Sequence, residues 1–433
     1  MLDKDQACVI GIDVGTSGVR TVVMNKNYDV VSGGSRCYFA DLGNDPRSPA
    51  LWWQGVVQAL SETLQQVNPE RVVAISVDGT SGTILAIDKY GDCLATPMMY
   101  NDVVSNKSLL DKIAAHMPQI SAAGGATSGL AKAMMFSNLS PAHIVHQADW
   151  VVGKLSGDYT CSDANNALKS GYDPLEKCWP DWIKSAGFDH GLFPDVSIPG
   201  EPISTICSEI SKRFGLSGTV SVIAGTTDGC ASFLATGAND IGDAVTALGS
   251  TVTLKLLSDQ PVFAPEYGVY SHIIGDKWLV GGASNTGGKV LDQFFSKEKL
   301  AALSRRIDPA TQTAYDYYPL PGRGERFPIN DPEMLPRMEP RPEDDKDFLH
   351  ALLEGISAIE VQGYRRLIEH GAAELNTLCS VGGGSVNATW ASLRKKSLNT
   401  CFPELVFREA KSEEAAAGTA RLAVQGANSE NLW

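Results

Sequence analysis

Two stretches of this chain carry one pattern: an apolar strand, a glycine turn bearing Ser or Thr, and a second apolar strand. The first is QACVIGIDVGTSGVRTVVMN, residues 6–25; the second is GDAVTALGSTVTLKLLS, Gly242–Ser258. Strands of this kind around a tight GTSG turn signal a β-hairpin. An internal repeat of such a unit suggests two similar α/β halves. The length of 433 residues allows this, since roughly 100–200 residues make one domain.

The elements between fit α/β order. After Cys8–Val14 and Val19–Met24, a third strand is expected over Val30–Ala40. Ser48-Pro49 then opens a helix, with Ser as N-cap and Pro in the first turn. Leu51, Trp52, Val56, Ala59, Leu60 and Leu64 recur on one side of it. Strands follow at Val72–Val77 and Ile84–Ile87, giving a mixed sheet. The stretch Ser105–Ser217 is more broken. Beyond the second hairpin, a long helix is expected from Asp345 to His370, with Phe348, Leu352, Ile356, Ile359 and Leu367 inward. A strand at Leu375–Val381 ends in Gly382-Gly383-Gly384, a short helix spans Ala388–Ser397, and an alanine-rich helix closes at Glu413–Gln425.

Composition excludes several classes. Hydrophobic residues make up 43% and charged residues 20%, which is ordinary for a globular core. No apolar run reaches the ~18–20 residues that span a bilayer. Lys plus Arg total 36 against 50 Asp plus Glu, a net charge of −14, which argues against nucleic acid or an anionic membrane as partner. A phosphorylated ligand remains compatible. The nine cysteines are scattered without a CxxC, so a reducing compartment is expected: the cytoplasm, or the plastid stroma had a transit peptide been removed. MLDKDQA reads as neither signal nor transit peptide.

Four motifs carry chemistry. Asp13-Val14-Gly15-Thr16-Ser17-Gly18 offers backbone N–H groups and hydroxyls to an anion, with Asp13 able to hold Mg²⁺; it also reads as an ordinary hairpin turn. Leu248-Gly249-Ser250-Thr251 repeats the device, and two such turns suit a triphosphate gripped from both sides. Gly382-Gly383-Gly384-Ser385, with Asn387 and Trp390, offers bare backbone to a flat ring, or is a close-packed strand–helix turn. In Ala224-Gly225-Thr226-Thr227-Asp228-Gly229, Asp228 is a general base toward a hydroxyl or a helix N-cap. A further GTSG at Gly79–Gly82 reads as a substrate-side loop or a plain turn. Gly282–Lys289 misses the Walker A spacing, and Val290 stands where Ser or Thr belongs. His143 and His146 lack companions for zinc.

Taken in order, DVGTSGVR, GTTDG, ALGST, GGGSVNATW and EEAAAGTARLAVQGA resemble the FGGY carbohydrate kinase family, of the actin-like ATPase superfamily. Met98-Met99-Tyr100-Asn101-Asp102 and Asp149-Trp150 with KLSGDYTCSDANNALKSGYD (Lys154–Asp173) are similar to further family segments. Within the family the chain looks closest to the xylulose and ribulose kinase branch. The resemblance implies two ribonuclease-H-like α/β domains with an interdomain cleft. We set these at 1–235 (sugar) and 236–433 (nucleotide), with helix 410–426 packing back on the first.

The resemblance also implies roles. Asp13 would coordinate Mg²⁺, with Gly15, Thr16 and Ser17 at the phosphates and Arg20 nearby. Gly249, Ser250 and Thr251 would hold the β- and γ-phosphates of ATP, with Gly287 and Gly288 on the nucleotide side. Gly383, Gly384 and Asn387 would border the adenosine. Asp228 would take the proton of a sugar hydroxyl, and Ser81, Asp102 and Asp13 would lie on the substrate side. The expected reaction is phosphorylation of a ketopentose by MgATP, in a monomer or homodimer. Two departures touch the substrate. Where xylulose kinases read SGQMHG, this chain reads Asp78-Gly79-Thr80-Ser81-Gly82-Thr83, with Gly82 at the histidine. Val104 stands where the family has an arginine. These leave D-ribulose at least as fitting as D-xylulose. The rival reading is an ATP-binding regulatory protein without sugar phosphorylation; the joint presence of Asp13, Thr16 and Asp228 argues against it.

Overall fold

The structure is a computed structural model that describes residues 6–43 and 45–433; residues 1–5, at the start of the first expected domain, lie outside the described residues. Its strands, in chain order, are β1 (Cys8–Val14), β2 (Gly18–Met24), β3 (Val30–Ser32), β4 (Arg36–Tyr38), β5 (Val72–Gly79), β6 (Ile84–Ile87), β7 (His143–His146), β8 (Cys161–Asp163), β9 (Asp195–Ser197), β10 (Pro202–Thr205), β11 (Ser221–Thr227), β12 (Asp243–Leu248), β13 (Val252–Ser258), β14 (Tyr270–Ile274), β15 (Lys277–Ser284), β16 (Thr377–Val381) and β17 (Val406–Arg408). The chain divides into two compact units. The first runs to Gly237 and regains His272–Gly275 and Glu414–Trp433; the second comprises Ala238–Ser271 and Asp276–Glu413. The chain thus leaves the first unit two residues later than expected and re-enters it twice.

Both units repeat one strand order. In the first, β3-β2-β1-β5-β11 lie side by side, with β10 beyond β11 and β4 paired to β2. The hairpin β1–β2 is antiparallel, while β1–β5 and β5–β11 are parallel. In the second, β15-β13-β12-β16-β17 follow the same order. There β12–β13 and β13–β15 are antiparallel, and β12–β16 and β16–β17 parallel. The sequence repeat of two hairpins is therefore the start of a repeat of whole sheets.

Side-chain alternation along β1 explains how the first sheet is covered. Cys8, Ile10, Ile12 and Val14 share a core with Trp52, Val56, Ala59 and Leu60 of helix Pro49–Thr63. Ser48 caps that helix by accepting from Leu51 N. Val9 turns to the other face, where Ala416, Ala417, Ala420 and Ala423 of helix Ala415–Ser429 pack. Gly11 lies on that face too. A Cβ there would stand 2.2 Å from the carbonyl oxygen of Ala416, and one on Gly418 would stand 1.8 Å from that of Ala231. The final helix thus meets its neighbours backbone to backbone, and the alanine-rich composition of the segment follows from that closeness.

The expected third strand is two short ones. Gly34 takes a left-handed φ of +64° between them, which no extended strand tolerates, and a helical turn begins at Phe39. In the second unit, Asp344 caps the helix Asp345–Glu369. The buried Glu360 of this helix accepts two bonds of 2.6 Å from Arg394, on helix Ala388–Cys401, and one from the Thr246 hydroxyl. Such a bidentate pair is stabilising only when its donors and acceptors are fully used, and here Arg394 also reaches Ser380. All nine cysteines are free. Among the described residues, no helix is long and apolar enough to cross a membrane.

Asp163, at the end of β8, is buried and accepts from the backbone N–H of Asn165 and Asn166, each at 2.9 Å. Burial, reinforced by the charge of Asp149, lifts its pKa to about 7. The folded value exceeds the unfolded one. Its contribution to stability is therefore complete below about pH 4 and is lost as pH rises through about 7.

Two outcomes follow from this packing. Gly418→Ala should lower stability by about 1–3 kcal/mol or more, because the helix must lift off its neighbour; an unchanged urea midpoint would contradict the contact. The unfolding midpoint of the wild type should fall relative to that of Asp163→Asn as pH rises from about 4 to about 8. A pH-independent gap in differential scanning fluorimetry would contradict the raised pKa.

Candidate active site

Strand register brings three carboxylates together. Asp13 pairs with Asp78 across β1–β5, and Asp78 pairs with Thr226 and Gly79 with Thr227 across β5–β11. Asp228 follows as the first residue of helix Asp228–Ala235, which the Thr227 hydroxyl caps. All three acids thus stand at the carboxyl ends of neighbouring parallel strands, where open α/β sheets place ligands. The N-cap reading of Asp228 is corrected: Thr227 is the cap and Asp228 is the first helical residue, with its Oδ1 accepting from Gly229 N at 2.7 Å.

Asp13 is buried, and Arg20 Nη1 lies 3.2 Å from its Oδ2. Burial raises its pKa; the facing Asp78 carboxyl and the Arg20 guanidinium oppose that rise. Asp78 is fully buried, and its Oδ2 accepts from the Thr419 hydroxyl of the final helix. Its Oδ1 has no hydrogen-bond partner among the described residues. Burial first, then the Asp13 charge, push Asp78 well above the usual carboxylate range. The charge of Asp228 bears on both.

The first glycine turn closes with Gly15 N donating to Gly18 O at 3.0 Å. Thr16 and Ser17 stand exposed at its tip. In the second unit, Gly249 N donates to Thr251 O at 3.1 Å, and Gly249 and Ser250 are likewise exposed. Gly287 and Gly288 form the floor of that turn. Gly288 N reaches Gly249 O at 2.9 Å and Lys289 N reaches Ser250 O at 3.1 Å. Gly287 has φ +143°, and a Cβ there would stand 2.8 Å from Ser250 O. Packing accounts for both glycines.

The third glycine motif divides. Gly384 N donates to Leu248 O, and a Cβ on Gly384 would meet the Trp390 ring at 2.6 Å. Trp390 itself is core. Asn387 caps the following helix through Trp390 N and bonds Ser304 Oγ at 2.9 Å. Gly383 alone is exposed with open space around it, so packing does not require its bare backbone. A cavity of about 510 Å³ lies alongside, lined by Ser385, Ser392, Lys395, Arg408 and Glu413 among others; Gly383, Gly384 and Asn387 are not in its lining.

The loop after β5 begins beside Asp228. The Thr80 hydroxyl bonds Gln147 Oε1 at 2.7 Å, and Thr83 Oγ1 accepts from Tyr100 N at 3.0 Å. Ser81 Oγ is buried with no hydrogen-bond partner among the described residues. Asp102 is gripped by Arg47 at 2.5 and 2.7 Å and accepts from Met99 N at 2.8 Å. The Arg47 bond is the main reason its pKa is lowered. Sequence reading missed Arg47, which lies 55 residues away and brings a guanidinium to Asp102. It also missed Lys132. This side chain is fully buried, and its Nζ donates to the carbonyls of Gly82, Met99 and Tyr100 at 2.8, 2.7 and 3.0 Å. Burial pulls its pKa down to about 8.

The stretch around Ser162–Ala167 supports the site from behind. Asn165 Nδ2 donates to Thr226 Oγ1 at 2.9 Å, two residues before Asp228, and its amide pairs both ways with the Ile273 backbone. His146 bonds Asp149 at 2.7 Å and Ser170 at 3.0 Å, but all three are buried, so the constellation is structural. Among the described residues, no group of three or more His, Cys, Asp or Glu side chains could hold a metal. The site still suits Mg²⁺, which takes one or two carboxylates and completes its shell with water and phosphate oxygens.

Comparison with known proteins fits this geometry. Models of the N-terminal and C-terminal domains of the FGGY family of carbohydrate kinases match residues 8–123 and 244–427. The xylulose kinase of Staphylococcus xylosus is 21% identical over 449 residues, covering 97% of this chain and 91% of that protein. A gluconokinase of Bacillus subtilis (strain 168) is 25% identical over 327 residues, covering 70% of this chain and 63% of that protein. The crystal structure of a xyloylose kinase from Brucella ovis superposes with a TM-score of 0.81 at 21% identity, over 98% of this chain and 91% of that one. That likeness establishes the fold, a two-domain α/β architecture of the actin-like, ribonuclease-H-like type. With both family models matched in sequence order and the strand-end carboxylates in register, the chain belongs to the FGGY family of carbohydrate kinases.

Proposed function

We propose that this chain transfers the γ-phosphoryl of MgATP to a terminal hydroxyl of a ketopentose, D-ribulose or D-xylulose. The observation that carries the proposal is the row of Asp13, Asp78 and Asp228 at adjacent strand ends, next to the exposed hydroxyls of Thr16 and Ser17. A purely structural sheet end has little use for three neighbouring carboxyl groups, two of them buried, since burying such groups is costly.

Asp228 is the general base. It orients the sugar hydroxyl and takes its proton as the oxygen bonds to the γ-phosphorus and the bond to the β-bridging oxygen breaks, releasing ADP. Thr16, Ser17 and Gly15 serve the phosphates from the first unit, and Gly249, Ser250 and Thr251 from the second. Gly287 and Gly288 act indirectly, by holding that second turn. Gly383 offers bare backbone to the adenosine, with Gly384 and Asn387 fixing its loop. Asp13 would hold Mg²⁺ directly or through water; the ion, when bound, offsets the negative charge of the transferring group. Arg20 keeps Asp13 in place.

On the acceptor side, Ser81 has a buried hydroxyl that lacks a partner, which a polyol could satisfy. Asp102 spends both oxygens on Arg47 and Met99, so its contribution is mainly to fix its own loop. Xylulose kinases among the relatives support a pentulose. Glycine in place of the histidine of SGQMHG keeps D-ribulose beside D-xylulose.

ATP consumption measured against pentuloses, hexuloses, polyols and no sugar should be fastest with a ketopentose. A sugar-independent rate equal to the best sugar's would defeat the proposal. Asp228→Asn should lower kcat by ~10²–10⁴ while leaving the affinity for an ATP analogue unchanged in calorimetry; wild-type turnover would remove Asp228 from its role.

A further inference from the structure

We propose that Lys132 is a positioning residue for the sugar: a buried ammonium that clamps the loop after β5 to the segment 99–102 and thereby sets sugar affinity. The inference rests on the reading above that these two segments face the acceptor.

Lys132 lies on helix Gly129–Met135 and is fully buried. Among the described residues no carboxylate forms an ion pair with it. Its three N–H donors end on three backbone carbonyls from two segments: Gly82 on one, and Met99 and Tyr100 on the other. An ammonium has three donors and no acceptor, so this arrangement exhausts it. Packing alone does not call for it. Methionine matches the stem in length and spares the cost of a desolvated cation. What the charge adds is a three-point hold on backbone.

The segments it joins are those with chemistry left over. Gly82 follows Ser81, whose buried hydroxyl is unpartnered. Tyr100 is exposed and precedes Asp102. One further bond, Tyr100 N to Thr83 Oγ1, runs between the same two segments. Without the ammonium, the carbonyls of Gly82 and Tyr100 lose this donor, Met99 O keeps only Asp102 N, and the gap between Ser81 and Tyr100 is held by fewer bonds, those of Tyr100 N to Thr83 Oγ1 and of Ile84 with Met98. Nothing in this contact reaches the turn at 15–18, so nucleotide binding should be indifferent to it.

The test is Lys132→Met in the full chain. The KM for the preferred ketopentose should rise about tenfold, the scale of one positioning hydrogen bond to a charged group, with the KM for ATP unchanged. Hydrogen exchange of amides in 79–83 and 98–102 should quicken together. A merely structural role would lower kcat through the folded fraction and leave both KM values alone, and that result overturns the proposal. Unchanged exchange in the two segments overturns it as well, and this readout does not need the sugar to be known. If the methionine variant does not fold, Lys132→Arg carries the test. Its planar fork cannot converge on the same three carbonyls, so a rise in sugar KM alone supports the clamp, and an equal rise for ATP rejects it. A wild type that phosphorylates no sugar would defeat the functional reading; a wild type that does, with a variant of unchanged sugar KM, would defeat only the clamp.

Discussion

The carboxylate site depends on the close seating of helix Ala415–Ser429 against the first sheet. Glycine at 11 and at 418 removes the side chains that would hold helix and neighbours apart. Only at that separation does the Thr419 hydroxyl reach the carboxylate of Asp78. Asp78 in turn faces Asp13, and both feel Asp228. A contact between backbones thus determines where three carboxyl groups sit, and it uses the smallest residues to do so. The alanine content of the helix follows from the same requirement. It buries little area per residue but permits an approach that larger side chains forbid.

The two units use one strand order for different ends. In the first, the parallel strands terminate in acids. In the second, the corresponding strands β12 and β16 terminate in glycine turns that bond to each other, Gly384 N on Leu248 O. One charged pair of the second unit is withdrawn into its core, where Glu360 and Arg394 satisfy one another with Thr246 and Ser380. One unit presents carboxylates, and the other presents backbone.

Local periodicity made much of the fold readable. The hairpins, the Ser48-capped helix and the helix Asp345–Glu369 each declare themselves within a few turns of chain, because their apolar faces repeat at 2.0 or 3.6 residues. Asp13 and Asp228 were legible for a similar reason, since each sits in a glycine-flanked strand end. Contacts between distant segments were not. Asp78 looked like the residue before a loop; its environment is made by Thr419, 341 residues on. Arg47 sits in a connecting segment with no pattern, and its partner Asp102 is recognisable only once the loops are placed. Lys132 interrupts an apolar stretch and would ordinarily be read as exposed, as most lysines are. Gly287 and Gly288 read as ligand-facing, but they serve the turn beneath.

The first unit is discontinuous: its last helix is translated after the whole of the second unit. On the ribosome, the second unit can complete its hydrophobic core while the first still lacks the cover of one sheet face. Val9, Val22 and Ile223 then remain wetted until Ala416, Ala420 and Ala423 emerge. A nascent chain of this protein therefore carries an open, sticky sheet from the emergence of β11 until that of helix Ala415–Ser429, and its acids acquire their final surroundings only then.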